Sequence, residues 1–342
     1  MGAVQTVIDI SKAHVRILKN GLPYYKPTEK EKLEELRELL RHGPARIVDG
    51  EVTQTMHAQG FCWSYHPHSW EVRCNGKLTP MEISRDYDKL WEALEERALY
   101  GSVRSLTDSE VRKGLSSATG AQGVSGFRPS AAWAIYDLYC RDNATVYDPS
   151  AGWGGRLVGA LACKKVRKYI ACEPATKTFA GLKRMKADLH RLVPQGRLQV
   201  EMHRVGSEDF APEPSTVDCV LWSPPYFEGD GVVEEYSDEK TQSHVRFPAR
   251  EAWLSGYLAT TLANVYAALK PGGTLALNVS DAMKPDAAAL AAREGFALVR
   301  EMRYALSRII GNKHQGPKSE PILIFAKETT DNEQVWSQRT EY

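Results

Sequence analysis

At 342 residues, with 42% hydrophobic and 25% charged residues, the chain has the balance of an ordinary globular protein and length enough for one large domain or two smaller ones. A mainly disordered polypeptide is excluded. The formal net charge of +1 gives no overall attraction to a polyanion, so a surface for nucleic acid has to be a local patch. Cys62, Cys74, Cys140, Cys163, Cys172 and Cys219 are scattered without close pairing, no secretory segment opens the chain, and no apolar run has the length of a membrane span. These features predict reduced thiols, a cytoplasmic location and no membrane partner.

Residues 1–124 are expected to form an α+β region distinct from 125–330, with 331–342 as a polar tail. The segment EKEKLEELRELLRHG puts Leu33, Leu36, Leu39 and Leu40 at helical spacing, and Gly43-Pro44 stops it. From Ala45 to Leu78, aromatics, Val and Thr alternate with polar residues up to the turn signal Asn75-Gly76, which predicts a small antiparallel sheet. A second helix is expected over 81–100, with Tyr87, Leu90, Trp91 and Leu94 on one face. Gly, Ser and Thr then accumulate up to Gly126, as in a linker or a loop ordered by ligand. Cys62, His66, His68 and Cys74, with His57 nearby, match no standard zinc spacing. A structural histidine pair is favoured and no metal is expected.

From Phe127 onward strands and helices alternate, the pattern of a parallel, doubly wound sheet. Strands are expected at 145–148, 168–173, 198–205, 217–222, 274–279, 297–306 and 321–327. Helices are expected at about 130–140, 156–163, 176–192, 249–269 and 285–294.

In such a sheet ligands bind beyond the carboxyl ends of the strands, near the point where strand order reverses. The turn VYDPSAGWGGRL after the first strand has glycines that let backbone approach a ligand, and the strand-end Asp148 can hold a charged or polar group. Glu173, at the end of the next strand, can accept two hydrogen bonds from a ribose diol. With neither G-x-G-x-x-G nor G-x-x-x-x-G-K-[ST] present, a nucleoside without phosphates fits best, and S-adenosylmethionine is the candidate. Further on, DCVLWSPPYF ends an apolar strand in a loop stiffened by Pro224 and Pro225. Ser223 brings acceptors to that loop, and Tyr226 a face for a flat heterocycle.

Together DPSAGWGG, the acidic strand end and SPPYF resemble the S-adenosylmethionine-dependent amino methyltransferases of DNA, which modify N4 of cytosine or N6 of adenine. The resemblance covers about 125–327. It implies a doubly wound, mostly parallel Rossmann-like methyltransferase sheet with an N-terminal α+β extension. It implies a cofactor site of Phe127, Asp148, Pro149, Gly152, Trp153, Gly154 and Glu173, with Glu208 or Asp209 at the adenine ring. Ser223, Pro224, Pro225 and Tyr226 match the catalytic loop, and Phe227 is expected to help stack the base. Ser in the first loop position favours cytosine N4 over adenine N6. Loops of this type also serve enzymes acting on guanine N2 in RNA or on glutamine in protein, so RNA stands as an alternative substrate. A non-catalytic nucleic-acid-binding module is the remaining alternative. DNA phosphates are matched to Arg303, Arg308, Lys313 and Lys318 around RIIGNKHQGPK, with a solvated surface loop as the equal alternative. Only the short acidic stretch EGDGVVEEYSDEK and a few residues beyond it separate Phe227 from the next helix, which leaves target recognition to the N-terminal region, to a partner, or absent altogether.

Overall fold

Apolar runs that end in acids or prolines become the central strands of a single large sheet in the computed structural model, which describes residues 3–100, 105–192, 198–236, 239–306 and 318–328. In chain order the strands are β1 (Ile47–Val48), β2 (Glu51–Val52), β3 (Arg73–Cys74), β4 (Ala144–Asp148), β5 (Val166–Cys172), β6 (Gln199–His203), β7 (Val217–Trp222), β8 (Glu234–Glu235), β9 (Leu269–Asn278), β10 (Phe296–Ala305) and β11 (Ser319–Lys327). Nine of them form one sheet in the order β1-β2-β10-β11-β9-β7-β4-β5-β6. Strands β6, β5, β4, β7 and β9 are mutually parallel, while β11 runs antiparallel to both β9 and β10. The fold is therefore the expected doubly wound, mostly parallel sheet.

Chain order explains where a ligand can enter. From β4 the chain moves outward to β5 and β6, then returns to lay β7 on the other side of β4, so the order reverses between β4 and β7. Val146 pairs with Cys219 and Tyr147 with Val220, which sets the loops after Asp148 and Trp222 side by side. Both strands are almost entirely buried, as strands covered on two faces must be. Helices Pro129–Tyr139, Gly155–Ala162 and Thr176–Leu192 supply one face's core, and the run from Arg250 to Ala268 with helix Lys284–Arg293 supplies the other.

The N-terminal region divides between two cores. Leu36, Leu39, Val52, Phe61, Cys62 and Tyr65 pack into the same core as the helices on β4 and β5. Helices Ala3–Asn20, Pro80–Arg85, Tyr87–Tyr100 and Asp108–Ser117 enclose a core of their own around Ile10, Ile17, Leu90, Leu94 and Leu115. The antiparallel sheet expected over Ala45–Leu78 does not form. Only β1 and β2 pair there, and β2 adds in parallel to β10 at the sheet edge. The aromatic stretch 59–71 instead makes a helix, Gln59–Trp63, and a 3-10 turn, Pro67–Glu71. Pro67 lacks the amide a strand ladder needs and suits the first position of a helical turn. The segment 108–117, expected as part of a linker, is a helix because Thr107 caps it and Gly114 lets it lie against helix Tyr87–Tyr100. A Cβ on Gly114 would stand 3.2 Å from the Ala93 carbonyl oxygen. No described helix is long and apolar enough to cross a membrane. Arg308, Lys313 and the tail 331–342 lie outside the described residues.

One close approach ties the segment before helix Pro129–Tyr139 to the end of the glycine turn. A Cβ on Gly155 would fall 1.8 Å from the carbonyl oxygen of Phe127, an overlap only backbone movement can relieve. Gly155→Ala is expected to lower the unfolding free energy by about 3 kcal/mol, as read by urea titration, with the slope of the transition unchanged.

Candidate active site

The turn after β4 depends on left-handed glycines. Gly152 has φ 52° and Gly154 φ 84°, and a Cβ on Gly154 would meet the Met185 side chain at 2.6 Å. The Ala151 amide donates to the Cys172 carbonyl (2.8 Å) and the Gly152 amide to Glu173 Oε2 (2.9 Å), so the turn folds onto the end of β5. The other oxygen of Glu173 accepts from the Ala175 amide at 2.9 Å. Glu173 is 6% exposed, and burial pushes its carboxyl up to about 7, against the lowering effect of these two amides.

Asp148 is wholly buried with all its partners inside the protein. Its Oδ2 accepts from Arg156 Nε (2.8 Å) and the Tyr169 hydroxyl (2.6 Å), and its Oδ1 from the Ser150 amide (3.2 Å). The sequence places this acid at a ligand; in the fold it holds the turn. Pro149 is buried behind it. Phe127 stacks on Tyr304 with centroids 4.7 Å apart, and the Arg156 guanidinium lies 5.5 Å over its ring.

Trp153 is buried and surrounded by aromatic rings. Tyr236 stacks on it at 5.1 Å, while Trp63, His66 and His68 approach at 5.6, 5.4 and 5.5 Å. Its indole N–H donates to Glu234 Oε2 at 3.0 Å. Glu234 also accepts from the Ser125 amide (2.9 Å) and the Tyr236 hydroxyl (3.1 Å), and burial raises its carboxyl to about 7. His66 and His68 pack in this layer, and burial lowers them to about 3 and about 4. His68 Nε2 lies 3.1 Å from Thr178 Oγ1. Among the described residues, the three groups with metal-ligand proximity are instead Glu38, His42 and His57, away from the strand ends.

The sequence offers Glu208 and Asp209 together, and burial separates them. Glu208 points inward with Oε2 lacking a partner among the described residues, and Asp209 is exposed. Arg246 bridges the pair, 2.7 Å from Asp209 Oδ2 and bonded to Glu208 Oε1. Burial holds the Glu208 carboxyl above its ordinary value, although Arg246 opposes this.

The loop after β7 meets the glycine turn directly: Ser150 Oγ donates to the Ser223 carbonyl at 2.8 Å. Pro224 is buried, whereas Ser223, Pro225, Tyr226 and Phe227 are half-buried. The Tyr226 hydroxyl donates to Glu320 Oε2 at 3.2 Å, and Phe227 packs 5.9 Å from Trp253. Gly231 passes so close to the Tyr226 ring that a Cβ there would overlap it at 2.2 Å. Of the basic residues, Lys318 is exposed at the start of β11, and Arg303 is engaged by Asp281 and Ser319.

Sequence reasoning missed Arg156, Tyr169, Glu234, Tyr236 and Glu320. The last sits in plain view in KSEPILIF, and Glu234 lies in the stretch taken only as an acidic insert.

A family model described as DNA methylase, of the N6/N4 type, matches residues 217–341, from β7 through the end of the sheet. Over that stretch the chain is similar to the DNA amino methyltransferases, a match that supports S-adenosylmethionine as methyl donor and DNA as the substrate class. No curated protein sequence matches the chain. Similar solved structures include a methyltransferase from Pyrococcus furiosus, 14% identical with a TM-score of 0.37, over 58% of this chain and 83% of that one. The YcgJ protein of Bacillus subtilis is 11% identical with a TM-score of 0.38, over 58% and 99%. A SAM-dependent O-methyltransferase from Thermotoga maritima is 13% identical with a TM-score of 0.36, over 59% and 64%.

Glu173 and Glu234 titrate near 7 in the fold against an ordinary 4.5. An acid whose folded value is raised stabilises most below its ordinary value, and that contribution is lost as pH rises through the folded value. The stability these two acids contribute should therefore decline between about pH 5 and pH 8, while His66 and His68, lowered by burial, act in the opposite direction below their ordinary 6.5. Glu173→Gln should flatten that decline in a series of thermal melts.

Proposed function

We propose that the chain transfers the methyl group of S-adenosylmethionine to the exocyclic amino group of a DNA base, cytosine N4 ahead of adenine N6. The observation that carries this reading is the Ser150–Ser223 hydrogen bond, which joins the glycine turn and the SPPYF loop into one site. The donor set suits a cationic nucleoside. Glu173 is a buried acid that neither Lys nor Arg bonds among the described residues, and Glu208 keeps one buried oxygen open. Glu173 takes the ribose hydroxyls, Phe127 lies beside the methionine part, and Glu208 rather than the exposed Asp209 meets the adenine ring. Gly152, Trp153 and Gly154 give the backbone its close approach, while Asp148 and Pro149 shape the turn beneath.

The cofactor supplies an electrophilic methyl carbon on a sulfonium sulfur. An amino nitrogen conjugated to a base is a weak nucleophile, so the protein has to draw its lone pair out of the ring. The Ser223 hydroxyl and the Pro224 carbonyl accept the two amino hydrogens and oppose the positive charge that develops on nitrogen. Tyr226, oriented by Glu320, stacks on the base with Phe227 beside it. No strong base is required, because the methylated nitrogen loses its extra proton to water readily. Holding both reactants at neighbouring strand ends supplies much of the acceleration. In duplex DNA the base has to leave the stack to reach this loop. Lys318, exposed just before β11, then offers a charge to phosphate, and Arg308 and Lys313 are assigned the same role from the sequence alone. The first-position serine supports cytosine over adenine.

Protein incubated with tritiated cofactor and, separately, DNA, RNA and protein should label DNA, and digestion to nucleosides should yield N4-methylcytosine. Label on carbon-5 of a pyrimidine, or in protein alone, overturns the assignment. Ser223→Ala should lower kcat by roughly 10²-fold with the cofactor's Kd unchanged.

A further inference from the structure

Four acids around the glycine turn and the neighbouring strand ends differ in their counter-charges. Asp148 has Arg156, and Glu208 has Arg246. Among the described residues, no Lys, Arg or His forms an ion pair with Glu173 or Glu234. Glu173 is explained by a ribose diol, which needs no charge. Glu234 is not explained by anything the proposed chemistry uses.

Its setting is specific. Glu234 and Glu235 form β8, which pairs with β3 through Cys74 and Arg73. Asn75 clamps the preceding residue in both directions, donating its amide to the Val233 carbonyl (3.0 Å) and accepting from the Val233 amide at Oδ1 (2.9 Å). The Gly76 amide donates to Glu235 Oε1 at 3.0 Å, and Gln242 Nε2 donates to the Tyr236 carbonyl at 2.7 Å. Held this way from outside, the segment turns Glu234 inward onto Ser125, two residues before Phe127, and onto Trp153 of the glycine turn. Gly152 stands between the two acids. Its amide bonds Glu173, and the Tyr236 hydroxyl comes within 4.0 Å of the position a Cβ on it would take. Three neutral donors occupy Glu234, one fewer than the roughly four lone-pair positions a carboxylate offers.

We propose that Glu234 is a cofactor-binding residue whose carboxylate receives the α-ammonium of S-adenosylmethionine, and that the segment from Gly231 to Tyr236 closes the aminoacyl end of that site. The inference rests on the reading of the glycine turn as the methyl-donor site. A half-buried carboxylate surrounded by neutral donors favours its protonated form unless a cation arrives. The α-ammonium is such a cation, and it sits at the end of the cofactor remote from the ribose that Glu173 takes. Placing Glu234 on the segment that follows the SPPYF loop gives that segment a role in donor binding. The same backbone passes over Tyr226 at Gly231, so one segment touches both halves of the site.

Calorimetry with S-adenosylhomocysteine and 5′-methylthioadenosine tests this, because the second ligand keeps the nucleoside and lacks the aminoacyl end. Glu234→Gln should weaken S-adenosylhomocysteine roughly 10- to 100-fold and leave 5′-methylthioadenosine unchanged, the scale of one charged hydrogen bond. Glu173→Gln should weaken both. Glu234→Asp, which keeps the charge, should retain a preference for S-adenosylhomocysteine that Gln abolishes, and it serves alone if the Gln variant fails to fold. Equal affinities in Glu234→Gln and the native chain overturn the inference, as does equal loss of both ligands, which marks a purely structural side chain. If the native chain binds neither ligand, the reading of the glycine turn fails as well, an outcome distinct from the other two.

Discussion

The buried carboxylate of Asp148 is the contact on which the site's geometry depends. It sits at the carboxyl end of β4, wholly withdrawn from solvent, and is neutralised by Arg156 from the first turn of the following helix. Arg156 also bonds the Ser150 carbonyl, and Tyr169 reaches the same carboxylate from β5. Two strands, the glycine turn and a helix start therefore converge on one side chain. Removing either member of a buried ion pair leaves an uncompensated charge, at a cost of about 3–5 kcal/mol. The turn is thus rigid before any ligand arrives, and Ser150, held in it, passes that rigidity to the SPPYF loop through the Ser223 carbonyl.

Around this fixed point the protein sorts its acids by whether they are matched. Asp148 and Glu208 carry arginines, with Glu208 keeping one oxygen open. Glu173 and Glu234 carry neutral donors only and titrate near 7. Unpaired acids beside a glycine-built turn cost folding free energy, a penalty that a bound cation would relieve. Where an acid and its cation come from the same fold, the contact serves stability.

The N-terminal region belongs to this arrangement physically. Its residues 36–65 share a core with the helices on β4 and β5, Trp63, His66 and His68 back the ring of Trp153, and Asn75 and Gly76 fasten the segment that carries Glu234. The short connection after Phe227 thus gains definition from residues far upstream, and a long insert of its own is unnecessary for order.

The sequence by itself determined the doubly wound sheet, the glycine turn and the proline loop, because each is written in a local pattern: apolar runs of strand length, glycines where backbone turns left-handed, and two prolines that end a ladder. It also supplied Glu173 and the pair Glu208 and Asp209, since a strand end is a local position. Only the tertiary structure decided that Asp148 is bound to Arg156 and Tyr169, that Glu208 faces inward while Asp209 faces solvent, and that Glu320 orients Tyr226. It alone turned 59–71 from strand to helix and brought Glu234 from the acidic stretch to the indole of Trp153. Each of those facts is a pairing across many residues of chain, fixed by how β4 and β7 lie side by side and by what packs against them, and no local periodicity encodes such a pairing.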